Sequence, residues 1–318
     1  MKKKVAFLDV VHPVLKEELT KHNFECVDLT TTPVEDIFNQ IQQFNGIVIR
    51  SRFPINKSFL KKATQLEFIA RSGAGMENID LDYCQANYIQ LFNAPEGNRN
   101  AVAEHALGML LALFNHLVKG DKEVRQGIWD REGNRGIELD GKTVGIIGYG
   151  NNGSAFAKKL RGFDVKILAY DKYKSGFGNE FVNEVEMKDI YEQADVISFH
   201  IPQTEETKFM VDELYLKRFR KNIYLINLAR GKIVKTKALL NAINTGKVLG
   251  ACLDVLEFEK SSFENMFDND NSLPKDFKAL ISSDKVILSP HVGGWTVESY
   301  YKLSRVLADK ILDFYFDK

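Results

Sequence analysis

The sequence predicts an α/β protein built from two doubly wound parallel-sheet domains, and three observations carry that prediction. Short apolar runs alternate with helical patterns along most of the 318 residues, the arrangement that builds parallel sheets from βαβ units. A chain of 318 residues accommodates about two domains, each with its own core. In the second half a glycine-rich turn, Gly148-Tyr149-Gly150-Asn151-Asn152-Gly153, stands between an apolar run and a helical pattern.

Taken in order, VAFLDV, FECVDL, GIVIR, EFIA and YIQLF read as strands of a mostly buried sheet within residues 1–95. Between them, 13–22, 34–43, 56–63 and 80–86 carry helical patterns, with Thr32-Pro33 and Asp80 as helix starts. This first unit has no glycine fingerprint. Residues 100–127 are expected to form one long helix. Val102, Ala106, Leu110, Leu113 and Leu117 recur at three- and four-residue spacing, and Asn100 is placed to cap it. Its apolar face serves either the domain core or an oligomer interface. A loop follows Gly127, and strands are expected at 143–148, 164–170, 195–199, 223–227, 249–254 and 286–289. Ser261 to Lys278, polar and rich in Asn and Asp, breaks the rhythm and reads as a surface insertion. After 296 an amphipathic helix carries Leu303, Val306, Leu307, Ile311 and Phe314.

Composition narrows the function. Hydrophobic residues at 44% and charged residues at 27% are those of an ordinary soluble globular protein. The 43 basic and 43 acidic residues cancel, leaving no electrostatic footprint for nucleic acid or an anionic membrane. Cys26, Cys84 and Cys252 form no CxxC and are expected to be reduced thiols in a cytoplasmic protein. Lys2-Lys3-Lys4 is followed only by Val5 to Leu8 before Asp9 intervenes, so no secretory segment is expected. Ala106 to Phe114 is too short to span a bilayer. No metal site is expected.

The glycine turn has a chemical reading. Gly148 permits the tight turn, Gly150 lets a pyrophosphate approach the backbone, and Gly153 lets the helix pack on the strand. Phosphates then meet the free N–H groups and the dipole of a helix N-terminus. The next apolar run, Val165 to Tyr170, ends in Asp171, near the spacing expected of an acid on the ribose hydroxyls. Three further polar residues follow expected strand ends: Arg230 in LINLARG, Glu259 in LDVLEFE and His291 in LSPHVGGWT. Separately they are compatible with a surface arginine, a solvated loop acid and a hydrogen-bonded loop histidine. Together they suit hydride transfer. A histidine exchanges the hydroxyl proton near neutral pH, a carboxylate fixes its ring, and a guanidinium fork holds a carboxylate.

At this point the chain resembles the NAD-dependent D-2-hydroxyacid dehydrogenases over nearly its whole length, and within them the phosphoglycerate dehydrogenase branch. The marks are IRSR (49–52), RSGAGMENID (71–80), NAPEGNRNAVAEHALGMLLAL (93–113), GYGNNG with Asp171, HIPQTEET (200–207), INLARG (226–231), LDVLEFE (253–259) and SPHVGGWT (289–296). The resemblance implies two Rossmann-like domains. A flavodoxin-like substrate domain takes 1–97 with 297–318, an NAD-binding Rossmann domain takes 98–296, and the cleft between them closes over the substrate. It implies catalysis by Arg230, Glu259 and His291. It assigns NAD to Gly148, Gly150, Asn151, Asn152, Gly153, Asp171, His200, Ile201, Pro202, Leu228, Ala229, Asp254, Gly293 and Gly294. Ser72, Gly73, Ala74 and Gly75 match the loop whose amides hold the substrate carboxylate. Arg50 and Arg71 match arginines that serve a phosphorylated substrate, their alternatives being solvated arginines or internal ion pairs.

The expected reaction is therefore that of 3-phosphoglycerate with NAD, in a cytoplasmic homodimer paired through the nucleotide domain. A glyoxylate or hydroxypyruvate reductase is the enzymatic alternative, and a non-catalytic NAD-binding scaffold the alternative of another class. Two departures stand out: Lys260 replaces the usual proline after the glutamate, and Trp295 replaces a small residue after Gly293-Gly294. No C-terminal regulatory domain is expected.

Overall fold

Gly46-Ile47-Val48-Ile49 is buried at all four positions. No polar–apolar alternation marks such a strand, because a parallel sheet is covered on both faces. The computed structural model describes residues 2–259 and 273–316, and the chain divides into two units.

The first unit comprises residues 2–99 and 295–316 among those described. Its strands are β1 (Lys4–Phe7), β2 (Glu25–Asp28), β3 (Gly46–Ile49), β4 (Phe68–Arg71) and β5 (Gln90–Asn93). They form a parallel sheet in the order β2-β1-β3-β4-β5, the flavodoxin-like order, whose ligand-binding switch point lies between β1 and β3. Side chains alternate between two cores. Ala6, Ile47, Ile49 and Ile69 enter one, while Val5, Phe7, Val48, Phe68 and Ala70 enter the other. The second core is closed by Leu303, Leu307, Ala308 and Ile311 of the helix Val297–Phe316.

The second unit comprises residues 100–259 and 273–294 among those described. Its strands are β6 (Thr143–Ile147), β7 (Lys166–Tyr170), β8 (Val182–Glu184), β9 (Val196–Phe199), β10 (Ile223–Asn227), β11 (Val248–Leu253) and β12 (Val286–Leu288). The order β12-β11-β10-β9-β6-β7-β8 is a doubly wound parallel sheet whose switch point lies between β6 and β9.

Three local expectations need correction. The single helix 100–127 is two helices, Pro95–Phe114 and Leu117–Arg125, bent by 59°. Proline is suited to a first helical position, so Pro95 rather than Asn100 opens the first helix. His116 takes a left-handed φ of 50° and ends it. The apolar face of Pro95–Phe114 is core, with Val102, Ala106, Met109, Leu110 and Leu113 buried against the sheet. The edge strand β8 follows from no apolar run. Of the polar stretch 261–278, residues 261–272 lie outside those described, and Lys275–Ile281 is a helix that buries Phe277 and Leu280.

No single helix among the described residues is long and apolar enough to cross a membrane. All three cysteines are free, Cys84 and Cys252 in the core, and burial pushes the Cys84 thiol up to about 11.

Candidate active site

The glycine turn sits at the switch point of the second sheet. Gly148 follows β6 with φ 92°, and a Cβ on it would lie 2.7 Å from the His200 carbonyl oxygen, at the end of β9. A Cβ on Gly153 would lie 2.0 Å from the Gly148 carbonyl oxygen, so only glycine lets the helix Asn151–Lys159 rest on the turn. Gly150, the N-cap, differs: a Cβ there meets nothing within 4 Å. Open space beside a nine-residue helix N-terminus is where a pyrophosphate fits.

Asp171 is fixed by the backbone around it. Its Oδ2 accepts the Tyr149 amide at 2.7 Å, and its Oδ1 accepts the Tyr173 and Lys174 amides at 2.9 and 3.0 Å. Gly148, Gly150, Asp171, His200, Ile201 and Pro202 line a cavity of about 520 Å³. His200 Nε2 is 2.8 Å from Ser198 Oγ, its ring lies against Phe156, and burial lowers its pKa to about 4. The imidazole is neutral at neutral pH. The open N-cap, the acid and the cavity fit an adenine dinucleotide.

The expected catalytic residues occupy loops after neighbouring strands of this unit. Beyond β10, the fully buried Asn227 closes the turn: its Oδ1 accepts the Ala229 amide and its Nδ2 donates to the Arg230 carbonyl. Arg230 Nη1 donates to the Ala229 carbonyl at 2.7 Å. A Cβ on Gly231 would lie 1.9 Å from the Leu256 carbonyl oxygen, so glycine permits the loops after β10 and β11 to touch.

Asp254, 2% exposed, directly follows β11 and organises the His291 loop. Its Oδ1 accepts Ser289 Oγ at 2.5 Å and the Val292 amide at 2.9 Å, and its Oδ2 accepts the Gly293 amide at 2.8 Å. Its carbonyl accepts the His291 amide at 2.8 Å. A Cβ on Gly293 would press on this carboxylate and on Leu228. His291 is thereby held at a left-handed φ of 55°, with Nδ1 3.1 Å from Glu259 Oε2. His105 Nε2 bonds Ser289 Oγ at 2.8 Å and so backs the Asp254 network. Sequence reasoning missed His105, Ser289 and Asn227, whose partners become visible only on folding.

The remaining expected residues stand at strand ends of the first unit. Asp9 Oδ2 accepts the amides of Arg50, Ser51 and Arg52 at 2.7, 3.0 and 3.1 Å, and so fixes the turn after β3. The Arg52 guanidinium is consumed by the carbonyls of Leu8, Leu29 and Thr32. After β4, the Ser72 amide donates to the Ile49 carbonyl and the Gly73 amide to the Arg71 carbonyl. Those two amides serve the fold, leaving Ala74 and Gly75 as the loop's candidate donors. The Ala74 carbonyl is itself held by Asn93 Nδ2 at 2.7 Å. Among the described residues no group of three His, Cys, Asp or Glu is placed to hold a metal ion.

Residues 107–293 match the family described as D-isomer specific 2-hydroxyacid dehydrogenase, NAD binding domain. A glyoxylate reductase of Pyrococcus furiosus is 34% identical over 291 residues, covering 89% of this chain and 82% of its own. A hydroxypyruvate reductase of Thermotoga maritima is 30% identical, covering 95% and 96%. A D-3-phosphoglycerate dehydrogenase of Archaeoglobus fulgidus is 31% identical over 96% of this chain but 56% of its own, so the chain spans about half the length of such relatives. Among solved structures, a D-lactate dehydrogenase of Aquifex aeolicus complexed with NAD and lactic acid aligns with a TM-score of 0.81 at 27% identity, covering 98% and 95%. D-2-hydroxyisocaproate dehydrogenase aligns at 0.85 with 25% identity, covering 99% and 97%.

Proposed function

The chain belongs to the D-isomer specific 2-hydroxyacid dehydrogenases, and on that premise we propose that it interconverts 3-phosphoglycerate and 3-phosphohydroxypyruvate with NAD. The His291–Glu259 pair, locked onto Asp254, is the observation that carries the dehydrogenase reading. When bound, the nicotinamide supplies the hydride acceptor or donor. Glu259 engages Nδ1 of His291, and Nε2 takes the C2 hydroxyl proton on oxidation and returns it on reduction. The Arg230 fork orients the substrate carboxylate and polarises the reacting oxygen, with the amides of Ala74 and Gly75 as further carboxylate donors. Leu228, Ala229, Gly293 and Gly294 bound the nicotinamide half, while Asn151 and Asn152 stand at the phosphate end. Asp171 favours NAD, because a 2′-phosphate would meet a carboxylate held in place by three amides.

Arg50 and Arg71 are the proposed ligands of the substrate phosphate, since a doubly charged group calls for guanidinium donors. The second reading is a glyoxylate or hydroxypyruvate reductase, favoured by the identity to proteins so named. The test is NADH oxidation with 3-phosphohydroxypyruvate, hydroxypyruvate, glyoxylate and 2-oxoglutarate. A kcat/KM at least about tenfold higher for the phosphorylated acid supports the first reading. A preference for glyoxylate or hydroxypyruvate replaces it with the second. Free thiols accord with a cytoplasmic setting. Exposed Leu117, Val118 and Val124 on the helix Leu117–Arg125 support a homodimer, which sedimentation checks.

A further inference from the structure

We infer that Trp295 is a positioning residue for Arg50, and that the pair forms a receptor for an oxyanion on the substrate's tail, a phosphate or a second carboxylate. Trp295 thereby sets selectivity between charged-tail and uncharged-tail 2-oxo acids. The inference deepens the proposed dehydrogenase function and rests on it.

The geometry is local to the first unit. Arg50 directly follows β3, at the switch point where an open parallel sheet gathers its ligands. Three amides of residues 50–52 converge on one oxygen of Asp9, which fixes the backbone that carries the side chain. The guanidinium carbon lies 4.0 Å from the centroid of the Trp295 ring, well within cation–π range. Trp295 is braced in turn. Tyr300 meets its ring edge-on at 5.3 Å, and His12 meets Tyr300 at 5.4 Å and Tyr301 at 5.1 Å. Thr296 and Ser299 exchange amide-to-hydroxyl bonds of 2.8 and 3.0 Å, pinning the chain directly after the indole.

The indole engages the guanidinium through its π-face, an interaction that consumes none of the N–H donors a planar or tetrahedral oxyanion would take. Among the described residues no carboxylate forms an ion pair with Arg50. Burial lowers the Arg50 pKa, against Asp9 and Tyr300, which raise it. A half-withdrawn cation beside an indole wall gains more from an incoming anion than a fully solvated one. Arg52 cannot substitute, because three carbonyls already hold it.

The chain has two tryptophans, and Trp129 is 79% exposed. Trp129→Phe in the full chain therefore makes Trp295 the sole indole reporter. Titration with inorganic phosphate, 3-phosphoglycerate or 2-oxoglutarate is expected to give a saturable change in its emission that Arg50→Gln abolishes. In turnover, Trp295→Ala is expected to raise KM for 3-phosphohydroxypyruvate about tenfold with kcat within about threefold, and to leave hydroxypyruvate kinetics within about twofold. Trp295→Phe retains most of the wild-type selectivity, and Trp295→Ala adds less than about twofold on an Arg50→Gln background. The ratio of 3-phosphohydroxypyruvate to 2-oxoglutarate tells a phosphate tail from a carboxylate tail. Equal losses on charged and uncharged substrates, a loss in kcat alone, or full additivity with Arg50→Gln would overturn the inference. If the wild type reduces no 2-oxo acid, the dehydrogenase reading fails by itself. The emission arm then still decides: an Arg50-dependent change upholds the anion receptor, and its absence ends it.

Discussion

Glu259 Oε2 stands 3.1 Å from Nδ1 of His291. The carboxylate therefore engages one imidazole nitrogen, and the proposed proton exchange runs through the other, Nε2. Glu259→Gln keeps a hydrogen-bonding group of the same length and removes the charge. We expect kcat to fall about 10–100-fold while KM for the 2-oxo acid changes less than about threefold. Steady-state kinetics on the preferred substrate checks it, and an unchanged kcat would remove Glu259 from the proton path.

Two glycines of one turn are expected to respond differently. Gly153→Ala puts a methyl 2.0 Å from the Gly148 carbonyl oxygen, which overpacks the helix on the strand and costs about 1–3 kcal/mol of stability. Gly150→Ala meets open space and costs less than about 1 kcal/mol, yet it fills the approach to the helix N-terminus and weakens NADH binding about tenfold. Denaturant melts and NADH titrations of both variants separate fold from site.

Asp171→Ala leaves three backbone amides without their acceptor and removes the charge proposed to face a 2′-phosphate. The ratio of kcat/KM for NAD over NADP is expected to fall by about tenfold or more. Retained NAD preference would place the discrimination elsewhere.

The sequence carried the sheets and pointed to the candidate site for physical reasons, and it lost detail where those reasons stop. Parallel strands covered on both faces read as unbroken apolar runs, so GIVI and the run before Gly148 announce themselves. β8 is three residues of an edge, Val182-Asn183-Glu184, with two of them exposed, and leaves no such trace. The helix periodicity at 102–117 is real, but His116 adopts a left-handed φ that no pattern of apolar residues encodes. Arg52 belongs to a motif that looks like substrate chemistry, and folding spends it on three carbonyls. The sequence shows Asp254 after an apolar run. That His105, far upstream, backs it through Ser289 is a long-range fact.

His200 gives a pH dependence. Burial lowers its pKa to about 4 from 6.5, so between those values the unfolded chain binds a proton that the native chain refuses. Its contribution is complete above about pH 6.5 and is lost as pH falls toward 4. By linkage, pH 5 costs on the order of 2 kcal/mol relative to pH 7 from this group alone. Urea unfolding of wild type and His200→Gln at both pH values checks it. The difference between the two proteins should shift by that amount, with the wild type losing more on acidification.

The most direct measurement of the central claim is His291→Asn, assayed for NADH affinity and for turnover on the same preparation. NADH affinity within about threefold of wild type, with kcat reduced about 10²–10⁴-fold, is the predicted result. Turnover within about threefold of wild type would contradict the proton role given to His291 and return the chain to the non-catalytic NAD-binding alternative.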